Sequence, residues 1–269
     1  MIHNRAMIYF IKKHPLISYF IIAWISTWLL VLPLILTQFG LITVNSNWHF
    51  LGALGPTISA IIITYISEKK EGIKKLKETS FKWKVGVFWI LFSGLIMPIF
   101  LLLTIGLNLI FTGNLINLNT YLIDNGITDP ISIFIWIWVG AISYGLFDEI
   151  GWRGYALPKL QEKYNPLIAT IILTNGWAFW HFPMFFYRLS LQMFFGWFFG
   201  LFMGAIVLTF LFNSSGKSAF VAILFHITNN IVWLFNILEV QMYVTIMLII
   251  LVIIILIIGR THLSLKKNF

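Results

Sequence analysis

Cysteine is absent from this chain of 269 residues. Disulfides, cysteine-ligated zinc and thiol catalysis are therefore excluded, and cysteine usage says nothing about redox compartment. Charge is scarce too. Only 10% of residues are charged while 59% are hydrophobic, which is not the balance of a soluble globule. No polar stretch is long enough for a second folding unit, so residues 1–269 read as a single membrane domain. There is no internal repeat and no low-complexity tract, and the His-Glu-x-x-His helix of the soluble zinc proteases is missing.

What the chain does have is a series of apolar runs, at 16–39, 50–66, 85–109, 131–147, 166–180, 194–212, 219–235 and 243–258. A helix needs about 20 residues to cross the hydrocarbon core, and all but the short fifth run come near that. The expected fold class is all-α, a polytopic membrane helix bundle of about eight transmembrane helices. The first run is too long for the apolar core of a signal peptide and no small-residue cleavage site follows it, so it reads as a retained helix.

The formal net charge is +9, and its placement matters more than its sum. Put the N-terminus inside and let each run cross once. The inner segments then hold Arg5, Lys12, Lys13, the cluster from Lys69 to Lys84, Arg153, Lys159, Lys163, Lys217, Arg260, Lys266 and Lys267, and Arg188 alone falls outside. That partition places both termini in the cytoplasm. It makes 67–85 a basic, partly helical cytoplasmic loop lying on anionic lipid, so the basic balance implies a lipid bilayer as partner and no nucleic acid. Residues 151–165 read as an interfacial helix with Tyr155, Leu157 and Leu160 toward lipid.

Against this apolar background a few polar groups stand out. Asp148, Glu149 and Arg153 end the fourth run, His181 ends the fifth, and His226 and Asn230 lie on the seventh. Each has a plain structural use. Glu149 and Arg153, four apart on a helix, can form an ion pair. His181 can anchor an interface, and His226 with Asn230 can tie helices together. Together they suggest chemistry, because ionisable groups at membrane depth are costly and mark functional sites. A carboxylate and an imidazole can activate water, and a second imidazole and an amide can stabilise an oxyanion. Asp148, His181 and His226 can equally hold zinc with an open position.

The segment Asp148-Glu149-Ile150-Gly151-Trp152-Arg153-Gly154-Tyr155 resembles the Glu-Glu-x-x-x-Arg motif of the CAAX-protease and bacteriocin-processing (CPBP) family of intramembrane proteases. The continuation Leu157-Pro158-Lys159-Leu160-Gln161 is similar to that family as well. Trp177 to His181 resembles its Phe-x-x-x-His motif, and His226 to Asn230 its His-x-x-x-Asn motif. The resemblance covers about 140–235. It implies that Asp148 and His181 activate the attacking water, that His226 and Asn230 form the oxyanion hole, and that Glu149 and Arg153 support them. Two positions depart from the pattern: Asp148 stands where the family has Glu, one methylene shorter, and Trp177 stands where it has Phe.

The function so implied is an intramembrane endopeptidase of a bacterial cell membrane, with zinc as an optional cofactor. It would cleave the end of a peptide or small protein, of CAAX or bacteriocin type, near the cytoplasmic face. The shortened Asp148 motivates an alternative, a non-enzymatic immunity or scaffold protein of the same fold. A proton-coupled transporter is a third reading. One expectation conflicts with the rest. His181 lies about 22 Å beyond the start of its run at 1.5 Å per residue, too far outward to meet an Asp148 at the inner end of the fourth run, unless 151–166 enters the membrane.

Overall fold

The computed structural model describes residues 2–258; Arg260, Lys266 and Lys267, assigned above to the inner face, lie outside the described residues. All regular structure among the described residues is helical. In chain order the helices are α1 (Ile2–Lys13), α2 (Pro15–Gln38), α3 (Leu54–Ser80), α4 (Val87–Thr112), α5 (Leu118–Asp124), α6 (Pro130–Gln161), α7 (Pro166–Trp180), α8 (Phe194–Ser214), α9 (Ala219–Leu234) and α10 (Leu238–Ile258). Short turns at Ser46–Ala53, Phe182–Phe186 and Leu191–Met193 join them.

Six of the candidate spans are long and apolar enough to cross a bilayer. They include α2, α4, α6, α8 and α10, and the sixth runs from the Ser46 turn through α3. The two shorter helices α7 and α9, of 15 and 16 residues, complete a bundle close to the expected eight. These two carry the polar motifs. They can be short because neighbouring helices, rather than lipid, surround much of them, and non-helical backbone at membrane depth is tolerated where protein buries it.

Inside and outside differ in size and polarity, not in greasiness. Ile17, Ile21, Ile25 and Leu29 form an exposed stripe along α2, and Ser18, Tyr19, Ala23, Thr27 and Val31 form the buried one. Hydrocarbon offers no hydrophobic force between helices, so association rests on close packing and interhelical hydrogen bonds. The bonds are present. Ser59 Oγ donates to Tyr19 O at 2.7 Å, Thr27 Oγ1 to Gly52 O at 2.9 Å, Trp180 Nε1 to Thr27 Oγ1 at 2.6 Å, Trp24 Nε1 to Gly176 O at 2.9 Å, and Thr170 pairs with Thr209 at 2.8 Å.

Two ends of the bundle can be told apart by their cross-links. At one end, Lys82 Nζ donates to Gly216 O and Ser218 Oγ to Lys82 O, each at 2.7 Å, and Lys159 pairs with Glu68 at 3.0 Å. This lysine-bearing end gathers the α3–α4, α6–α7 and α8–α9 connections. At the opposite end, His49 Nδ1 meets Tyr187 Oη at 2.8 Å, and Tyr121 Oη donates to Leu234 O at 2.8 Å.

One expectation is corrected. Residues 151–165 do not form an interfacial helix. The α6 helix continues to Gln161, and Tyr155, Leu157 and Leu160 are buried in the bundle, not turned to lipid. Their burial removes the depth conflict. Asp148 lies 13 residues, about 20 Å, before the end of α6, while His181 lies 15 residues, about 22 Å, after the start of α7. The two helices are antiparallel and extend from the same turn toward the same side, so both residues reach the same level.

Candidate active site

Helix α6 is interrupted by two π-helical turns, Trp138–Ile142 and Trp152–Ala156. Such turns insert a residue, re-aim the side chains beyond them and recur at functional sites. Between them Ser143–Gly151 carries both acids. Neighbours on a helix point about 100° apart, so Asp148 and Glu149 serve different surroundings. Asp148 lines an open-mouthed cavity of about 210 Å³, whereas Glu149 is fully buried behind it.

Glu149 Oε1 takes two partners. Arg153 donates to it at 2.9 Å, and His226 Nδ1 lies 2.7 Å away. Arg153 is itself fully buried, and its guanidinium sits 5.0 Å from the centre of the Trp177 ring. Helix α9 brings His226 to this position because Gly145 lets it approach. A Cβ on Gly145 would lie 2.8 Å from the backbone nitrogen of Ile227, and backbone cannot move aside. Gly145→Ala is therefore expected to cost roughly 1–3 kcal/mol of stability through overpacking and to disturb the Glu149–His226 contact. Thermal unfolding in detergent would measure the first effect.

The two histidines are held differently. His181 follows α7, and its Nδ1 is 2.8 Å from Trp177 O. A carbonyl can only accept, so Nδ1 carries the hydrogen and Nε2 of the neutral ring carries a lone pair. Edge contacts with Trp180 at 4.6 Å and Trp197 at 5.1 Å fix the ring plane. His226, bonded at Nδ1 to a carboxylate, turns Nε2 outward and stands edge-on to Trp177 at 5.5 Å. One helical turn on, Asn230 Oδ1 lies 3.5 Å from Asn229 Nδ2, and Asn229 Oδ1 accepts from Trp233 Nε1 at 3.1 Å. This relay occupies the oxygen of Asn230 and leaves its amide nitrogen free to donate.

Asp148, His181, His226 and Asn230 thus line one cavity, from three different helices. Asp148 is 1% exposed, and its Oδ1 has no hydrogen-bond partner. The indole N–H groups of Trp152 and Trp177 lie near its carboxylate but outside hydrogen-bond geometry. Glu149 and Arg153 do not line the cavity; they stand behind His226.

Several lining residues escaped sequence reasoning. Tyr144, one turn before Asp148, donates to His49 O at 2.8 Å, and Arg188 stands at the rim. Tyr144 is four residues from Asp148 on one helix, a spacing that sequence does display. His49 sits in a connecting turn and carries no spacing signal. Toward the lysine-bearing end the bundle is closed below Asp148 by Trp152, Arg153 and Leu157, all fully buried.

The zinc set does not fit. Among the described residues no three of His, Asp and Glu are grouped as ligands around one point. No step below is routed through a metal.

The chain matches the family described as Type II CAAX prenyl endopeptidase Rce1-like over residues 130–232. It is also 28% identical over 193 residues to CAAX prenyl protease 2 of Methanococcus maripaludis, an alignment that covers 67% of this chain and 69% of that protein. The matched stretch contains α6, α7, α8 and most of α9, the helices that build the cavity.

Proposed function

We propose that this chain is a member of the CAAX-protease and bacteriocin-processing family of intramembrane proteases, which its matches resemble, and that it hydrolyses a peptide bond near the end of a peptide or small protein. The observation that carries this reading is the cavity itself. A fully buried carboxylate with an unpartnered oxygen shares it with an imidazole lone pair, a second imidazole and a free amide. Members and relatives described as CAAX prenyl proteases suggest a CAAX-type terminus as substrate, and a bacteriocin-type precursor fits the same chemistry.

In the reaction, Asp148 Oδ1 and His181 Nε2 hold the attacking water and take its proton as the oxygen adds to the carbonyl carbon. The carbonyl oxygen becomes an oxyanion that accepts from His226 Nε2 and Asn230 Nδ2. Collapse breaks the carbon–nitrogen bond, and the stored proton goes to the leaving nitrogen. His226 can donate from Nε2 while bonded to a carboxylate at Nδ1 only as an imidazolium. Glu149 and Arg153 are positioning residues that keep His226 aimed.

Activity should be indifferent to metal. A zinc chelator is expected to leave the rate of cleavage by purified protein unchanged, and re-addition of zinc to leave it unchanged again; loss and rescue would contradict the assignment of Asp148 and His181 as the water-activating pair. His226→Ala is expected to slow cleavage by about 10²- to 10³-fold, the usual effect of removing one oxyanion donor. Unchanged processing in that variant would sink the reading.

A further inference from the structure

A second cleft opens at the lysine-bearing end of the bundle and shares no residue with the active-site cavity. Its volume is about 680 Å³, and it lies between the α3–α4 and α8–α9 connections. Four lysines line it, Lys75, Lys82, Lys84 and Lys217, against one carboxylate, Glu78. None of the four forms an ion pair among the described residues. Like charges held together repel, and a bound anion offsets that repulsion.

The wall of the cleft is fixed. Lys82 Nζ donates to Gly216 O and Ser218 Oγ donates to Lys82 O, each at 2.7 Å, so each connection grips the other. An ammonium has three donors, so Lys82 can hold Gly216 and still serve an anion. Lys217 has a φ of 64°, in the left-handed region that asparagine and glycine enter more readily than lysine. What lysine adds at this position is a positive charge facing the cleft.

The neighbours of the lysines set the depth. Phe81 and Trp83 are exposed at the cleft, and Val87 and Phe88 are exposed where α4 begins. Lys84 Nζ lies 5.6 Å from the centre of the Trp83 ring. Tryptophan is enriched at the level of lipid headgroups, and basic pockets between spanning helices suit anionic headgroups.

We infer that this cleft is a phosphate site, in which Lys75, Lys82, Lys84 and Lys217 hold the phosphate of an anionic lipid headgroup and Phe81 and Trp83 lie beside its acyl chains. A free phosphate offers the same charge, and the aromatic flank favours the lipid. This is a discrete, saturable site, which a basic loop resting on a charged surface is not. Ser218 also caps α9 by accepting from Val221 N, so an occupied cleft steadies the start of the helix that carries His226 and Asn230.

The test is thermal unfolding of the purified full chain in a nonionic detergent. The additives, at equal ionic strength, are dioctanoyl phosphatidylglycerol, dioctanoyl phosphatidylcholine and inorganic phosphate. A ligand that binds only the folded state raises the midpoint in proportion to its occupancy of the site. Phosphatidylglycerol should bind about 10-fold more tightly than phosphatidylcholine, as expected for charged hydrogen bonds. Lys84→Gln should weaken phosphatidylglycerol by about 10-fold, and so should Lys217→Asn, which keeps a residue that accepts the left-handed backbone. Neither should lower the midpoint of the lipid-free protein by more than a few degrees. Lys12→Gln with Lys13→Gln, two exposed lysines outside the cleft, should leave phosphatidylglycerol binding unchanged. Inorganic phosphate that matches phosphatidylglycerol assigns the site to free phosphate, and much weaker phosphate binding assigns it to the lipid. Equal binding of the two lipids overturns the inference. So does a preference for phosphatidylglycerol that survives both cleft variants, or one that the Lys12 and Lys13 changes reduce as much. No outcome depends on peptide cleavage, so failure here and failure of the protease reading are distinct.

Discussion

Asp148→Ala is expected to lower the rate of peptide cleavage by about 10²- to 10⁴-fold, the range for loss of a positioned general base, and to leave the fold as stable as before or more so. The two halves of this result belong together. Asp148 is buried, and its Oδ1 has no hydrogen-bond partner. Burying an ionisable group without full compensation costs stability. Removing it therefore relieves the protein while disarming it, the signature of a side chain kept for chemistry. A purely structural Asp148 would show the opposite pattern, lost stability with unchanged cleavage. Asp148→Glu should keep activity, because the 210 Å³ cavity in front of the carboxylate has room for one more methylene. Gain of activity from a silent wild type would instead assign the present chain a binding role of the immunity or scaffold kind.

The largest stability effect is expected at Arg153. Arg153→Ala should cost roughly 3–5 kcal/mol, as found when one partner of a buried ion pair is removed. Both side chains of the pair are fully buried, so no solvent screens the Glu149 charge that remains. The stacking of the guanidinium on Trp177 is lost as well. Replacing both partners with apolar groups, Glu149→Leu with Arg153→Met, should cost less than Arg153→Ala alone, because no orphaned charge is left. Unfolding in detergent, run as a double-mutant cycle, measures the coupling. The double variant should still be inactive, since His226 loses the carboxylate at its Nδ1. A stable, inactive double variant separates positioning from folding.

Much of this was legible in sequence for a simple reason. A membrane chain spends almost no polar residues inside its spans, so Asp148, Glu149, His181, His226 and Asn230 stand out without any knowledge of their neighbours. Spacing sufficed for pairs on one helix, such as Glu149 with Arg153 and His226 with Asn230. It did not suffice where a helix hides its own length. The stretch after Gly151 carries Arg153, Lys159 and Lys163, which on a hydropathy count end the span. In the fold Arg153 is neutralised by Glu149, Lys159 reaches Glu68, and the helix between them stays inside the bundle. Charge pairing across elements is invisible to a count along one strand of sequence, and that is why the level of His181 could not be reconciled beforehand. Arg188 shows the same limit from the other side. Sequence marked it as the lone outer cation, and only the fold places it at the mouth of the cavity.

The most direct test of the central claim is mass spectrometry of a peptide pool incubated with the purified full chain in detergent. The pool should contain apolar peptides with free carboxyl ends, and wild type should be compared with Asp148→Ala. The account predicts endoproteolytic fragments from wild type, each cut at an internal bond close to the carboxyl end, and their absence with a folded Asp148→Ala protein. Fragments that appear equally with both proteins would contradict it.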